Sequence, residues 1–332
     1  MRIQRSVTSI TWIPSEAMTG PMRLPMDMGL GHYDQAPPES VSEADLDALH
    51  AEDRFRFANR LQAWIEVEDG EITASGYDSK VMVGSTTLNL GVGKVSVPAV
   101  AYPTIQSEPQ VQKRSITFQQ TSGGRTGAPF PHRIDRPPFV RLTAPTAWTT
   151  LSIELGSNGS YSFDVVGASP FPRHWIYDDA GNLVKKTGVI DFTEWTRKHD
   201  RDRSPWADQE HAALVSDVES DIERRLSSIL MGERPEIRRL SQGETLIQQG
   251  SESTVVHLGL HGMFVVHVDG ETVAEVGPGA VVGERSALEG GVRTSTVTSL
   301  TPSCVAAVPA GALPRSELIE VSNLHRREDE IV

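Results

Sequence analysis

The chain has 332 residues, 38% of them hydrophobic and 23% charged, which implies two domains with enough apolar residues for real cores. Its net charge of −13 argues against a general affinity for nucleic acid or anionic lipid, since both need clustered cations. No run is long enough to span a bilayer, and the opening MRIQRSVTSITWIP lacks the apolar stretch of a secretory signal, so a cytoplasmic protein without a membrane partner is expected.

Residues 1–52 read as an irregular segment, except for a short helix opened by a capping box at Ser42 and Asp45 and ending near Leu49. From Phe55 the hydrophobic period changes to two: Phe55, Phe57, Leu61, Ala63, Ile65 and Val67 alternate with polar residues. Asp69-Gly70 is a two-residue hairpin signal, with the return strand over Ile72–Tyr77. Further strand-like runs fall at 81–90, 95–102, 115–121, 139–143, 148–155, 160–165 and 174–177. Many short strands with close turns predict an antiparallel β meander, a barrel or a sandwich, for a domain over 1–200. The stretch TSGGRTGAPFPHRIDRPP (121–138) is rich in Gly and Pro and reads as a long loop.

A connecting helix is predicted within 201–235. Ser204 caps it, Pro205 suits its first turn, and Val215, Val218, Ile222, Leu226 and Ile229 form one apolar stripe over a helix at 206–230. That stripe is a packing face between domains or subunits, so a protein partner or a second copy is expected there. The last domain, 236–332, carries strands at 240–247, 255–260, 263–268 and 271–276, with turns at His261-Gly262 and Asp269-Gly270. The segment GPGAVVGE, a short helical piece RSALEGG, a strand from Arg293 to Ser299 and a last strand at 305–308 complete it. The whole is therefore mainly β with helices. The single cysteine, Cys304, excludes an intramolecular disulfide and any cysteine-cluster metal site, and its apolar setting reads as a buried thiol.

The string GAVVGERSALEGGVRTSTVTS (279–299) carries the chemistry. Gly283 permits close backbone approach to a ligand. Glu284 is an acceptor for a sugar hydroxyl. Residues 285–289 form one helical turn whose free N–H groups suit an anion. Arg293 offers a planar donor fork for phosphate, and Thr294 adds a hydroxyl and an N–H. One acid and one arginine describe a nucleotide with a single phosphodiester, although Glu284 and Arg293 alone fit an ordinary ion pair equally well. His257, His261 and His267 read as surface cover, and no metal or catalytic residue is assigned. GGRTG (123–127) lacks the Lys-Ser/Thr end of a phosphate loop.

These residues resemble the phosphate-binding cassette of the cyclic-nucleotide-binding family, which includes catabolite activator protein, the regulatory subunit of protein kinase A and cyclic-nucleotide-gated channels. The family pattern is approximately F-G-E-L-A-x-x-x-x-x-x-R-x-A-x-V, and VGERSALEGGVRTSTV fits it without a gap. LSQGETLIQQGSES (240–253) resembles the family's first strands, and 255–279 its central hairpins, so the resemblance runs from about Arg238 to Val308. It implies a jelly-roll β-barrel with short flanking helices that binds cyclic AMP or cyclic GMP, without a cofactor. The implied site is Gly283, Glu284, Arg285, Ser286, Arg293 and Thr294. Glu284 would hold the ribose 2′-OH and Arg293 the cyclic phosphate, with Gly283, Ser286 and Thr294 acting mainly through the backbone.

Two positions depart from the pattern. Arg285 stands where the family has an apolar residue that couples the cassette to the following helices, and Val282 stands where it has an aromatic. No Phe, Tyr or Trp follows Pro309 to stack on a base, which leaves Leu324, Arg326, another domain or nothing as its cover. No helix-turn-helix follows the barrel, so the expected role is a cyclic-nucleotide sensor without a DNA-binding domain. Two other readings stay open: a nucleotide-regulated enzyme with its active site in the N-terminal domain near His132 or His174, and a scaffold whose barrel binds no ligand.

Overall fold

A computed structural model describes residues 1–14, 33–89, 93–125, 130–133, 140–143, 146–170, 172–187, 204–207, 215–216 and 218–329, with positions 24, 26 and 28. At 88, 130–133, 140–143, 215 and 326–329 it describes the backbone alone. The described residues fall into two compact units, one up to Val215 and one from Ser216 onward.

The first unit is built on β1 (Arg2–Trp12), α1 (Glu43–Ala51), β2 (Phe57–Glu68), β3 (Glu71–Val83), β4 (Ser115–Arg125), β5 (Thr146–Gly156), β6 (Tyr161–Ala168), β7 (Arg173–Tyr177) and β8 (Leu183–Thr187). One sheet contains the order β8-β7-β1-β2-β3, and the other contains β6-β5-β4 with short strands added along β4. These pairings are antiparallel. The period-two stripe of β2 (Leu61, Ala63, Ile65) meets Ile116 and Phe118 of β4 and Leu151, Ile153 and Leu155 of β5 in a single core. Two faces packed this way make a sandwich, not a closed barrel. The β2–β3 turn sits at Asp69-Gly70, both at positive φ, and α1 opens with the Ser42–Asp45 capping box.

Two expectations are corrected here. The segment 1–52 is not irregular at its start, because β1 is an interior strand with Val7 opposite Leu61 and Ile10 opposite Trp175. Its polar residues Ser6, Ser9 and Thr11 are buried along with Val7, Ile10 and Trp12, so no apolar–polar alternation marks it. Nor is 121–138 wholly a loop: β4 runs on to Arg125, and Phe130–Arg133 pairs with Val140–Thr143. Gly123 and Gly124 sit inside β4 because neighbouring strands press close. A Cβ on Gly123 would lie 2.2 Å from the Ala147 carbonyl oxygen, and one on Gly124 2.1 Å from that of Val100.

The second unit contains α2 (Asp221–Gly232), β9 (Glu236–Leu240), β10 (Thr245–Ile247), β11 (Val255–His261), β12 (Phe264–Val268), β13 (Glu271–Val276), β14 (Val281–Val282), α3 (Glu284–Leu288), β15 (Thr296–Ser299), β16 (Ser303–Pro309) and α4 (Arg315–Asp329). It is a β-roll of two four-stranded sheets, β9-β16-β11-β14 and β10-β15-β12-β13, antiparallel and not closed. Leu240 and Val305 of the first sheet meet Ile247, Phe264 and Val297 of the second. On the outer face of the first sheet, Val256, Leu258 and Leu260 of β11 pack with Ile222, Leu226 and Leu230 of α2 and with Leu318 and Val321 of α4. Cys304 is buried in that cluster.

The helix expected over 206–230 is shorter. Pro205–Ala207 is one 3₁₀ turn, Val215–Ser216 is extended, and α2 begins only at Asp221. Residues 208–214 and 217 lie outside the described residues. The start is fixed by a capping box: Ser220 accepts from the Glu223 N–H, and the Glu223 carboxylate accepts from the Ser220 N–H at 2.9 Å. Ile222 and Leu226 of the predicted stripe are buried, whereas Val218 precedes the helix.

Candidate ligand site

β14 ends at Val282, and Gly283 turns the chain into α3 with φ 92° and ψ 6°. A side chain there would be strained twice over, by the left-handed backbone and by Arg293 Nη1, 2.3 Å from where a Cβ would stand. The single helical stretch expected after Gly283 is α3, and it turns Glu284 and Ser286 inward and leaves Arg285 half-buried. Arg293 lies in the connection before β15 rather than on a strand. Its N–H donates to the Ser251 carbonyl at 2.8 Å, and its carbonyl accepts from the Gly250 N–H at 2.9 Å.

The Arg293 side chain turns inward, and the residue is 4% exposed. Nη1 donates to the Gly283 carbonyl at 3.0 Å and to Ser286 Oγ at 2.8 Å. Nη2 donates to Ser253 Oγ at 3.0 Å and to the Val255 carbonyl at 2.7 Å. All four acceptors are neutral. Burial pulls the guanidinium pKa below its ordinary value, and the Glu284 charge opposes that shift. Thr294, the next residue, is exposed.

Glu284 is held from another direction. His325 on α4 places Nδ1 2.9 Å from Glu284 Oε1 and Nε2 3.5 Å from Glu223 Oε1. Burial alone would lower the His325 pKa, but the hydrogen bonds and charges of Glu223 and Glu284 outweigh it and raise the pKa to about 10. The ring is therefore an imidazolium at neutral pH. Burial likewise favours a protonated Glu223, yet His325 and the N–H groups of Ser220 and Val281 bring its pKa below the ordinary value. Glu223 Oε1 accepts from the Val281 N–H at 3.1 Å, which ties α2 to β14.

Sequence reasoning brought Gly283, Glu284, Ser286 and Arg293 to one place and missed Ser253, Glu223, His257 and His325. Ser220-x-x-Glu223 is a legible capping signal. His257 was expected on the surface, but it is buried. Its β11 neighbours Val256 and Leu258 face the helices, so by strand alternation His257 faces the other sheet, opposite Val282 in register. Burial, then the charges of Arg293 and Arg238, lower its pKa to about 4, and its Nδ1 has no hydrogen-bond partner.

The candidates in the first unit do not assemble in this way. His174 is fully buried, with Nδ1 2.8 Å from Thr11 Oγ1 and Nε2 3.1 Å from both Ser169 Oγ and the Ser169 carbonyl. Burial lowers its pKa to about 4, so it is a neutral core residue. The side chains of His132 and Arg133, and residues 126–127 of GGRTG, lie outside the described residues. Among the described residues no three His, Cys, Asp or Glu side chains converge for a metal. None of their helices is long and apolar enough to cross a membrane.

A two-sheet roll flanked by helices, with a glycine-initiated turn that carries a buried glutamate and a buried arginine nine residues on, is the β-roll architecture. Residues 237–315, about a quarter of the chain, match the family model of the cyclic nucleotide-binding domain, and that stretch is such a domain. Similar solved structures include the N-terminal domain of a transcriptional regulator from Streptomyces coelicolor A3(2), at 22% identity and TM-score 0.26, covering 34% of this chain and 85% of that one. A regulatory subunit of a cAMP-independent protein kinase A from Trypanosoma brucei is 19% identical at TM-score 0.27, over 32% of this chain and 39% of that one. Thermus thermophilus catabolite activator protein is 22% identical at TM-score 0.23, over 33% and 50%. The comparison with curated proteins returns no match.

Proposed function

We propose that the roll binds one 3′,5′-cyclic nucleotide and that the chain is a cyclic-nucleotide-responsive regulatory protein. The observation that carries this reading is Arg293, a guanidinium removed from water whose four described contacts are all neutral. Desolvating a cation is unfavourable by several kcal/mol unless a counter-charge completes the site. The Glu284 charge acts on Arg293 without an ion pair among the described contacts, and a cyclic phosphodiester would bring a negative charge into direct contact. Ser253 accepts from the guanidinium and keeps a hydroxyl proton that can turn to a phosphate oxygen, whereas Ser286 accepts from it and donates to the Gly283 and Ser253 carbonyls. Glu284 takes the ribose 2′-OH, Gly283 lets the backbone close in, and the half-buried Arg285 and exposed Thr294 border the entrance. Cyclic AMP is the preferred ligand over cyclic GMP, and a cyclic GMP preference reversed by Thr294→Ala overturns that choice.

Calorimetric titration with cyclic AMP and cyclic GMP tests the proposal. One site per chain is expected, weakened at least about 100-fold in Arg293→Ala, or about 2.7 kcal/mol. Equal affinity in the variant rules out this pose. A second reading, a ligand-free structural roll, is favoured by the internal acceptors that Nη1 and Nη2 already have. No binding of either nucleotide selects it.

A further inference from the structure

His325 lies forty-one residues after Glu284 and outside the stretch matched by the family model, yet it is the side chain that meets Glu284. The Glu284 side chain is 5% exposed and that of His325 25%. A ribose hydroxyl needs a carboxylate lone pair at hydrogen-bond distance and room to approach it. The imidazole already holds Oε1 at 2.9 Å and covers that approach. Through its other nitrogen it also faces Glu223, so α2, α3 and α4 each send one charged side chain to the same point.

We propose that His325 is the internal occupant of the ribose subsite, so that a nucleotide displaces it from Glu284 and frees the end of α4 from α3. The inference rests on the reading that Glu284 binds the ribose. Its chemistry is an exchange of hydrogen bonds: the Glu284 carboxylate trades an imidazolium N–H for a ribose O–H, and no covalent bond changes. The imidazolium keeps Glu223 as its counter-charge, so the exchange strands no buried cation. The extent of the movement is set by the apolar anchors. Leu318 and Val321 are buried in the cluster with α2 and β11, and they hold the first turns of α4. Leu324 is only partly buried, so the part released runs from Leu324 onward. Binding is thereby converted into exposure of one helix end, through contacts that differ between the empty and the filled state.

The test uses the full chain with whichever of cyclic AMP and cyclic GMP binds the wild type. Removing an occupant strengthens binding, whereas removing a group that positions Glu284 weakens it. His325→Ala is expected to bind about tenfold more tightly, and His325→Gln, neutral but still a donor, to fall between it and the wild type. In the wild type, nucleotide is expected to speed amide hydrogen exchange over 324–329. In His325→Ala that segment exchanges fast already and nucleotide changes it little. Weaker or unchanged binding in both folded variants overturns the occupant, as does protection of 324–329 by nucleotide. Glu284→Gln and the 2′-deoxy nucleotide separate ribose binding by Glu284 from displacement of His325. If either leaves wild-type affinity intact, the ribose assignment fails and the displacement fails with it. If both weaken binding while His325→Ala does not strengthen it, only the displacement fails.

Discussion

The sandwich buries Arg56 and Arg173 and the roll buries Arg293, and Arg56 and Arg293 are held differently. In the sandwich, Arg56 Nη2 lies 3.0 Å from Asp34 Oδ1 and Nε 3.0 Å from Oδ2, with both side chains at most 2% exposed. In the roll, Arg293 is buried against two carbonyls and two serine hydroxyls. The histidines divide in a parallel way: His174 is buried neutral between hydroxyls and a carbonyl, and His325 is charged between two carboxylates. Arg56 has a carboxylate of its own unit in direct contact, whereas the four hydrogen-bond acceptors around Arg293 are neutral.

The strongest way to break this comparison is to remove the counter-charge where it exists. Asp34→Ala takes the carboxylate from the buried Arg56, which keeps its bonds to the Ser85 carbonyl and Thr86 Oγ1 but loses its counter-charge, and is expected to destabilise the sandwich by about 3–5 kcal/mol in urea unfolding. A loss under about 1 kcal/mol would mean that the neutral acceptors Ser85 and Thr86 suffice for Arg56 and that the contrast is false. Next in size is Arg293→Met, which should abolish high-affinity nucleotide binding yet change the stability of the roll by only about 1 kcal/mol. The Ser286 hydroxyl still donates to the Gly283 and Ser253 carbonyls, and no bare charge is left behind. A destabilisation as large as that of Asp34→Ala would make Arg293 a structural residue.

Acid and base should then act differently on the two units, with effects on the order of 1–2 kcal/mol. The depressed pKa of His174 means that its contribution is complete above the unfolded value of about 6.5 and is lost as pH falls toward 4. His257 has the same sign in the roll. His325, raised to about 10, has the opposite sign: its contribution is complete below about 6.5 and is lost as pH rises toward 10. Proton NMR of the histidine C2–H signals should find two groups titrating near 4 and one near 10, and an ordinary pKa for His325 would contradict the buried imidazolium. The smallest expected effect compares the two capping boxes. Ser220→Ala should cost about 1 kcal/mol and Ser42→Ala about 0.5, since Ser42 is exposed whereas Ser220 also orients the Glu223 that faces His325. Equal losses in thermal melts would detach the α2 cap from the site.

Much of the fold was legible because its signals are local. Ser42 and Asp45 announce α1 through hydrogen bonds three residues apart, and Asp69-Gly70 and Asp269-Gly270 take the positive φ of their turns. The stripe of β2 is written in alternation because one face of that strand is more deeply buried than the other. β1 escaped because both of its faces are covered, which erases the alternation. Gly123 and Gly124 misled because they were taken as turn residues, whereas a neighbouring strand's closeness requires them. The helix expected at 206–230 followed a stripe that does not begin until Ile222, and the competing cap at Ser220 was the better signal.

By itself the sequence determined the cassette: Gly283 at its left-handed turn, Glu284 and Ser286 on the following helical turn, and Arg293 nine residues after Glu284. These depend on backbone sterics and on spacing within one short stretch of chain. The tertiary structure alone decided that Arg293 is buried against neutral oxygens, that Arg56 meets Asp34, and that His325 reaches Glu284 from a helix forty-one residues away. Those meetings depend on how the sheets stack and where α4 lands on the roll. They are set by apolar burial summed over many residues, among them Leu318, Val321, Leu258 and Leu226, and no short stretch of sequence records that sum.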